Sequence, residues 1–421
     1  MNRIYRFPFF FGACFGAALA GSGAPLTLAD ALQRATDASP ILSAQRHSRL
    51  AADALIEQAG YRPNPTIEAT LENVLGTGDV RGIRGAEATV LATQTLERGG
   101  KRQKRVALAN RERELTEQEL AVLQNEILSR TAVAYVGVLA ARQRLALAEA
   151  PLRLAVETLA AAESREKAGA ASTIDVARAR AAVAAARGEV VRARALVSGA
   201  QTALAAIWGG GPDDALEVAG TLRVPDALPD ESMLLSRMGQ HPRVALQRAA
   251  IESRQAAVDV EVSMASQDVS VGGGLRFLRD GSDAALVASV SIPLAVRNRN
   301  QGRIRAAREE ALGAGETLRA VRLELKAAFD ADWQELKAAH ATALGLRRDV
   351  LPANEDAFDA VKRAYDNGEL AFIDVLDAQR TLLTVQRELL EAEASYVIAL
   401  ARIEGLTATR FPGVIELISA Q

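Results

Sequence analysis

Twice along the chain the spacing of apolar residues changes from helical to strictly alternating. Ile67, Ala69 and Leu71 stand between Thr66, Glu68, Thr70 and Glu72. A turn-rich segment from Gly76 to Gly85 leads to a second alternating run, Ala86 to Leu96. Later, Val269, Val271, Leu275 and Phe277 alternate with Ser270 and Arg276, and Gly281-Ser282-Asp283 turns the chain. Leu286, Ala288, Val290, Ile292 and Leu294 then form another apolar row, against Ser289 and Ser291. A period of two with one apolar face predicts two β-hairpins, with strands near 64–78, 86–97, 268–279 and 284–295.

The rest of the chain has helical spacing. Thr27 and Asp230 are good N-caps for short helices, and Asp30 offers Thr27 a variant capping box. Second helices are predicted after Pro40 and Pro242. A long helical pattern follows each hairpin, with Pro151 the single proline in 101–168 and Pro352 the single proline in 302–367. Gly169 and Gly368 break these rods, which predicts that each turns back as a helical hairpin. The returning helices carry heptad seams. Val176, Val183, Val190 and Val197 recur with Ala179, Ala186, Ala193 and Ala200, and the second seam sets Val375, Leu382, Leu389 and Tyr396 beside Ala378, Val385, Ala392 and Ala399.

This order of elements occurs twice because the chain is a tandem duplication. Ala38-Ser39-Pro40 is answered by Gln240-His241-Pro242, Ile174-Asp175-Val176 by Ile373-Asp374-Val375, and Ala203–Gly209 by Ala399–Gly405. The repeats span 26–211 and 228–406, joined by a breaker-rich linker, 212–227, and followed by a tail, 407–421. Four strands with one apolar face cannot stand in lipid as an open sheet, because both edges would leave backbone groups unpaired. A soluble sheet packed on helices is the plain alternative. The neighbouring rods, at 1.5 Å per residue roughly 100 Å long, far outreach so short a sheet. A barrel shared between several chains resolves both difficulties.

Composition narrows the function. Of 421 residues 49% are hydrophobic and only 4% aromatic, which suits closely approaching helices. Fifty Lys and Arg against 52 Asp and Glu leave a net charge of −2, so there is no basic footprint for nucleic acid. Arg3, Arg6, the apolar run Phe7–Leu19 and Ala18-Leu19-Ala20 read as a signal peptide over 1–20. A lipobox ending at Cys14 is the alternative, and either route exports the protein. No cofactor is expected. His47, His241 and His340 are scattered, Met233, Met238 and Met264 form no cluster, and the single cysteine lies in the leader, so no metal site is read. No nucleophile–base motif points to an enzyme. Gly272-Gly273-Gly274 lies inside a strand rather than before a helix, which marks close packing instead of a phosphate loop.

The ordered motifs resemble the outer-membrane efflux protein family, the TolC-like exit ducts. They are Leu26-Thr27-Leu28-Ala29-Asp30-Ala31-Leu32, Leu96-Glu97-Arg98-Gly99-Gly100-Lys101-Arg102, and Ser291-Ile292-Pro293-Leu294 leading into Asn298-Arg299-Asn300-Gln301-Gly302, with the paired tips Gly169–Val176 and Gly368–Gln379. The resemblance implies a mainly helical chain whose duplicated hairpins build a long periplasmic α-barrel. Its four β-strands would join a twelve-stranded transmembrane barrel in a homotrimer. It also implies outer-membrane lipid around that barrel, and a periplasmic adaptor and inner-membrane pump as partners. By the same resemblance Tyr365, Asp374 and Asp377 match the positions that close the periplasmic mouth, and Asp175 an acidic partner in the first tip. The basic residue that links them in the family falls at Leu370, which leaves Lys362, Arg363, Lys167 or Arg178 to complete the network. For Asp374 and Asp377 the plain alternative is compensation of a helix dipole. The glycine-flanked motifs look like the branch serving heavy-metal cation pumps. The rival readings are a type I secretion or multidrug duct and a periplasmic coiled-coil adaptor. An adaptor would show one helical hairpin among small β domains, where this chain shows two.

Overall fold

A computed structural model describes residues 25–169, 172–211, 217–367, 369–370 and 372–419. The leader with Cys14, part of the linker and Gly368 lie outside the described residues.

The first repeat opens with α1 (Leu28–Ala38), whose N-cap Thr27 and Asp30 form a reciprocal capping box, and α2 (Pro40–Gly60), with proline at its first turn. Strands β1 (Thr66–Glu72) and β2 (Glu87–Leu96) follow. The 67-residue helix α3 (Lys101–Lys167) and α4 (Thr173–Ala205) then form an antiparallel hairpin. The second repeat repeats this plan in α5 (Glu231–Arg237), capped by Asp230, α6 (Pro242–Met264), β3 (Val269–Leu278) and β4 (Asp283–Ser291). Its rod is α7 (Gln301–Gly345) and α8 (Leu351–Asp366), returning as α9 (Phe372–Leu406) before a short α10 (Pro412–Ser419).

The two rods treat their prolines differently. Pro151 lies inside α3 without breaking its helical assignment. Between α7 and α8 a π-turn, Leu346–Val350, precedes Pro352, and the Leu351 N–H reaches back five residues to Leu346. Proline lacks an N–H and its ring crowds the carbonyl four residues back, so an inserted wide turn relieves the conflict.

The four strands form one antiparallel sheet in sequence order, with β1 and β4 at its edges. β1 is shorter than its alternating sequence suggests. Asn73 and Leu75 adopt left-handed backbone (φ 57° and 60°), which stops the strand, and Gly76 bridges to Arg81 and Gly82 instead. At Gly274 a Cβ would lie 2.0 Å from the Val90 carbonyl oxygen, so only glycine lets β3 approach β2 there.

The core lies at mid-height, where both repeats meet. Tyr135 and Val136 of α3, Phe329 and Leu336 of α7, and Tyr396 and Ile403 of α9 are fully buried together. Phe329 stacks on Trp333 at 6.0 Å between ring centres. The described part of the linker, from Glu217 on, is itself stitched to this core. Tyr135 Oη lies 2.6 Å from the Leu26 and 2.7 Å from the Ala219 carbonyl, and Arg142 donates to the Val218 carbonyl at 2.8 Å. Arg347, in the π-turn, donates to the Val224 carbonyl and to Glu393. Along both hairpins the seams face inward, with Val176, Ala179, Val183, Val190 and Ala193 buried in one, and Val375, Val385, Ala392, Tyr396 and Ala399 in the other.

Candidate functional site

Two surfaces carry the functional reading: the faces of the sheet and the tips of the helical hairpins. Directly paired residues of an antiparallel sheet share a face, so register alone sorts the side chains. One face carries Ile67, Ala69 and Leu71 of β1 against Ala92, Val90 and Ala88 of β2. It continues through Gly273, Leu275 and Phe277 of β3 to Ala288, Leu286 and Ala284 of β4. This face is apolar from edge to edge and bare: Ile67 is 79% exposed, Leu286 88% and Val290 68%. The other face is polar. Arg276 pairs with Glu87 at 3.2 Å and lies 3.9 Å from Glu72, and its Nε donates to Thr89. Thr95 and Ser270 hydroxyls meet across it at 3.3 Å. The sheet thus sets one bare apolar face against one polar face. Among the described residues no helix is long and apolar enough to cross a membrane.

At the far end of the rods lie the four residues singled out by sequence, on the facing ends of the two hairpins. Asp175 caps α4. Ser172 donates to its carboxylate through Oγ at 2.9 Å and N–H at 3.2 Å, and the Asp175 N–H donates back to Ser172 Oγ. Those bonds, the hydroxyl's first, hold the carboxyl below its ordinary range, with Arg178 adding a smaller pull. Asp374 sits half-buried in the first turn of α9, and Asp377 is exposed one turn on, its carbonyl accepting from the Thr381 hydroxyl. Tyr365, at the end of α8, meets the other hairpin. Arg165 of α3 donates to its Oη at 3.1 Å, and the guanidinium lies 5.9 Å from the ring centre. Arg165 is thus one cation that reaches across the tips. Among the described residues Lys362, Arg363, Lys167 and Arg178 form no ion pair or side-chain hydrogen bond. Arg165 and Tyr365 stand 200 residues apart, the repeat distance, so the duplication held the signal that they face each other.

Two buried ionisable groups escaped the sequence reading. His241 caps α6: its Nδ1 accepts from the Arg243 N–H at 3.0 Å, and burial pushes its pKa down to about 4. Glu404 accepts from the N–H groups of Gly413 and Val414 at the start of α10, while burial raises its pKa. Both lie in the mid-height region, and both hold helix ends together.

A sheet with one bare apolar face and two open edges, carried on paired helical hairpins, is the fold of a TolC-like outer-membrane channel chain. The chain belongs to the outer membrane efflux protein family, whose model matches residues 31–210 and 239–409. It is similar to the cobalt-zinc-cadmium resistance protein CzcC of Cupriavidus metallidurans, with 32% identity over 360 residues, 85% of this chain and 84% of that one. It is similar also to the nickel and cobalt resistance protein CnrC of the same organism, with 35% identity over 70% of each chain. Among solved structures, the outer membrane protein VceC of Vibrio cholerae shares the fold at a TM-score of 0.71 and 20% identity, covering 90% of this chain and 96% of that one. Family and fold agree on a mainly helical, four-stranded efflux channel of the outer membrane, and the family's members are channel proteins rather than enzymes.

Proposed function

We propose that three copies of the chain close one twelve-stranded barrel and one helical tunnel, and that this duct passes heavy-metal cations outward from an inner-membrane pump through a periplasmic adaptor. The observation that carries the assembly is the pair of open sheet edges, β1 and β4, flanking a bare apolar face. Closure removes both edges at once, and four strands are too few to close alone. The cargo rests on the relatives named for cobalt, zinc, cadmium and nickel resistance. Cations need no ligand site in the wall, only passage.

The periplasmic tip is the gate in this reading. Asp374 and Asp377 open α9, beside the seam of Val375, Leu382 and Leu389. Three copies would stack carboxylates around the axis, favouring cations and admitting block by multivalent ones. Tyr365, held by Arg165, ties the moving hairpin to the first one, and Asp175 keeps the first tip's helix end fixed. Planar-bilayer recording of the purified protein tests this. Asp374→Ala with Asp377→Ala should weaken cation preference and multivalent block together while leaving the assembled mass unchanged. A double variant with the parent's conductance and block would place the constriction elsewhere, and a stable monomer in detergent would remove the assembly.

A further inference from the structure

All strand–helix junctions lie at one end of the sheet, where Thr66 pairs with Thr93, Leu96 with Val269 and Ser270 with Ser291. Charge gathers at this foot. Arg62, Arg98, Arg102, Arg297, Arg303 and Arg305 are exposed there, and among the described residues none of them forms an ion pair within the chain. The opposite end is mixed, with Asp79, Asp280 and Asp283 among Arg81, Arg84 and Arg279. At the foot of β4 the apolar run Ile292, Leu294 and Val296 is bare and leads straight into Arg297. Beside it opens a cleft of about 520 Å³, walled by Met264, Leu294 and Val296 and edged by Gln267, Arg297 and Asn298.

The loop that forms this cleft is firmly built. Asn300, in left-handed backbone, donates through its side chain to the Glu261 carbonyl and carboxylate at 2.8 and 2.6 Å. The Asn300 N–H donates to Asn298 Oδ1, the Arg299 N–H to Gln301 Oε1, and Arg299 Nε to the Ala295 carbonyl. Gln301 Nε2 donates to the Arg297 carbonyl. Every one of these bonds fixes backbone or a neighbouring side chain, and none uses the Arg297 guanidinium.

We infer that this cleft binds the phosphate headgroup of an anionic phospholipid in the periplasm-facing leaflet, with Arg297 as its counter-charge and Leu294 and Val296 against the acyl chains. The inference rests on the proposed insertion of the sheet's apolar face into the outer membrane. A guanidinium at the edge of a bare apolar strip matches a lipid, whose charge and hydrocarbon are covalently joined, better than a free anion. The unpaired arginines around the foot add a less specific attraction for the same leaflet, screened over about 8 Å at physiological salt.

Native mass spectrometry of the detergent-extracted protein tests it, with phosphatidylglycerol and phosphatidylcholine of identical acyl chains added in competition. The wild-type protein should retain phosphatidylglycerol preferentially, and Arg297→Gln should cut that preference about five-fold. Arg297→Lys should keep most of it, and Arg279→Gln, at the other end of the sheet, should change nothing. Equal retention of the two lipids, equal effects of Arg297→Gln and Arg279→Gln, or loss of the preference on adding inorganic phosphate would each overturn the site. Recordings in pure phosphatidylcholine separate this failure from a deeper one. Channels conducting there without any lipid preference would leave the duct and remove only the headgroup site, whereas failure to form channels in any lipid would remove both.

Discussion

At mid-height Tyr135, Phe329 and Tyr396 are fully enclosed by side chains of their own chain, whereas at the sheet Ile67, Leu286 and Leu294 touch almost nothing. Both regions arise from the same duplication and both combine elements of repeat one with elements of repeat two. They differ in what one chain can finish. Helices satisfy their backbone internally, so two repeats meeting at α3, α7 and α9 make a complete core. Strands satisfy theirs only through neighbours, and four of them leave two rows of unpaired groups. The middle is completed within one chain, and the sheet keeps two open edges.

Truncating a side chain in the core should have the largest effect. Phe329→Ala removes a buried ring stacked on Trp333 and should cost about 3–5 kcal/mol. Because its neighbours belong to the same chain, heat unfolding in detergent followed by circular dichroism should show that loss equally at low and high protein concentration. A loss that grows on dilution would mean the middle also depends on assembly. The sheet should behave otherwise. Val290→Arg places a charge on the apolar face and should cost about 2–4 kcal/mol at the bilayer midplane, while Ser289→Arg, on the polar face, should cost far less. Urea titration of protein refolded into vesicles measures both, and equal tolerance would mean neither face meets lipid.

Acid should separate the two regions again. Burial keeps His241 neutral down to about pH 4 in the folded chain, against an ordinary value of 6.5, with Arg243 opposing its protonation further. The folded pKa is the lower one, so the unfolded chain binds the extra proton between those values. The stability His241 contributes is thus complete above 6.5 and lost as the pH falls towards 4, by about 3 kcal/mol in all. Glu404 has the opposite sign: its raised pKa gives stability present in acid and lost as the pH rises through that value. His241→Asn, which keeps a capping side chain, should flatten the wild-type loss of stability between pH 6.5 and 4. Parallel acid limbs for the two proteins would show that this ring is not the titrating group.

The helical plan, the two hairpins and their apolar faces were legible because period and capping are local properties of sequence. Thr27 with Asp30, Pro40, Pro242 and the valine seams speak for themselves within a few residues. What escaped depends on contacts between distant segments. β1 ends early because Asn73 and Leu75 turn left-handed within an apolar stretch that alternation cannot distinguish from strand. The π-turn before Pro352 has no counterpart at Pro151, although the two prolines occupy matching positions. The buried roles of His241 and Glu404 exist only where α6, α9 and α10 converge. At the tips, residue type suggested the acidic members, but Arg165, whose contact with Tyr365 crosses the two hairpins, was not among the cations considered. Its place is fixed by how the two hairpins face one another.

That tip contact joins the two repeats beyond both regions, and it gives the smallest expected effect. Arg165 reaches Tyr365 from an exposed position, so the hydrogen bond and the cation–ring contact together contribute about 1 kcal/mol. If the rods transmit the rigidity of the core to a resting closed tip, that energy biases the closed state directly. Arg165→Met should raise the fraction of time spent in the high-conductance state about five-fold, and should add little in a chain that already carries Tyr365→Leu. Such non-additivity marks one shared contact. Single-channel recordings of the four proteins decide it, since additive effects would mean that Arg165 and Tyr365 act on the tip separately, and no effect would mean that the hairpins are held together by their seams alone.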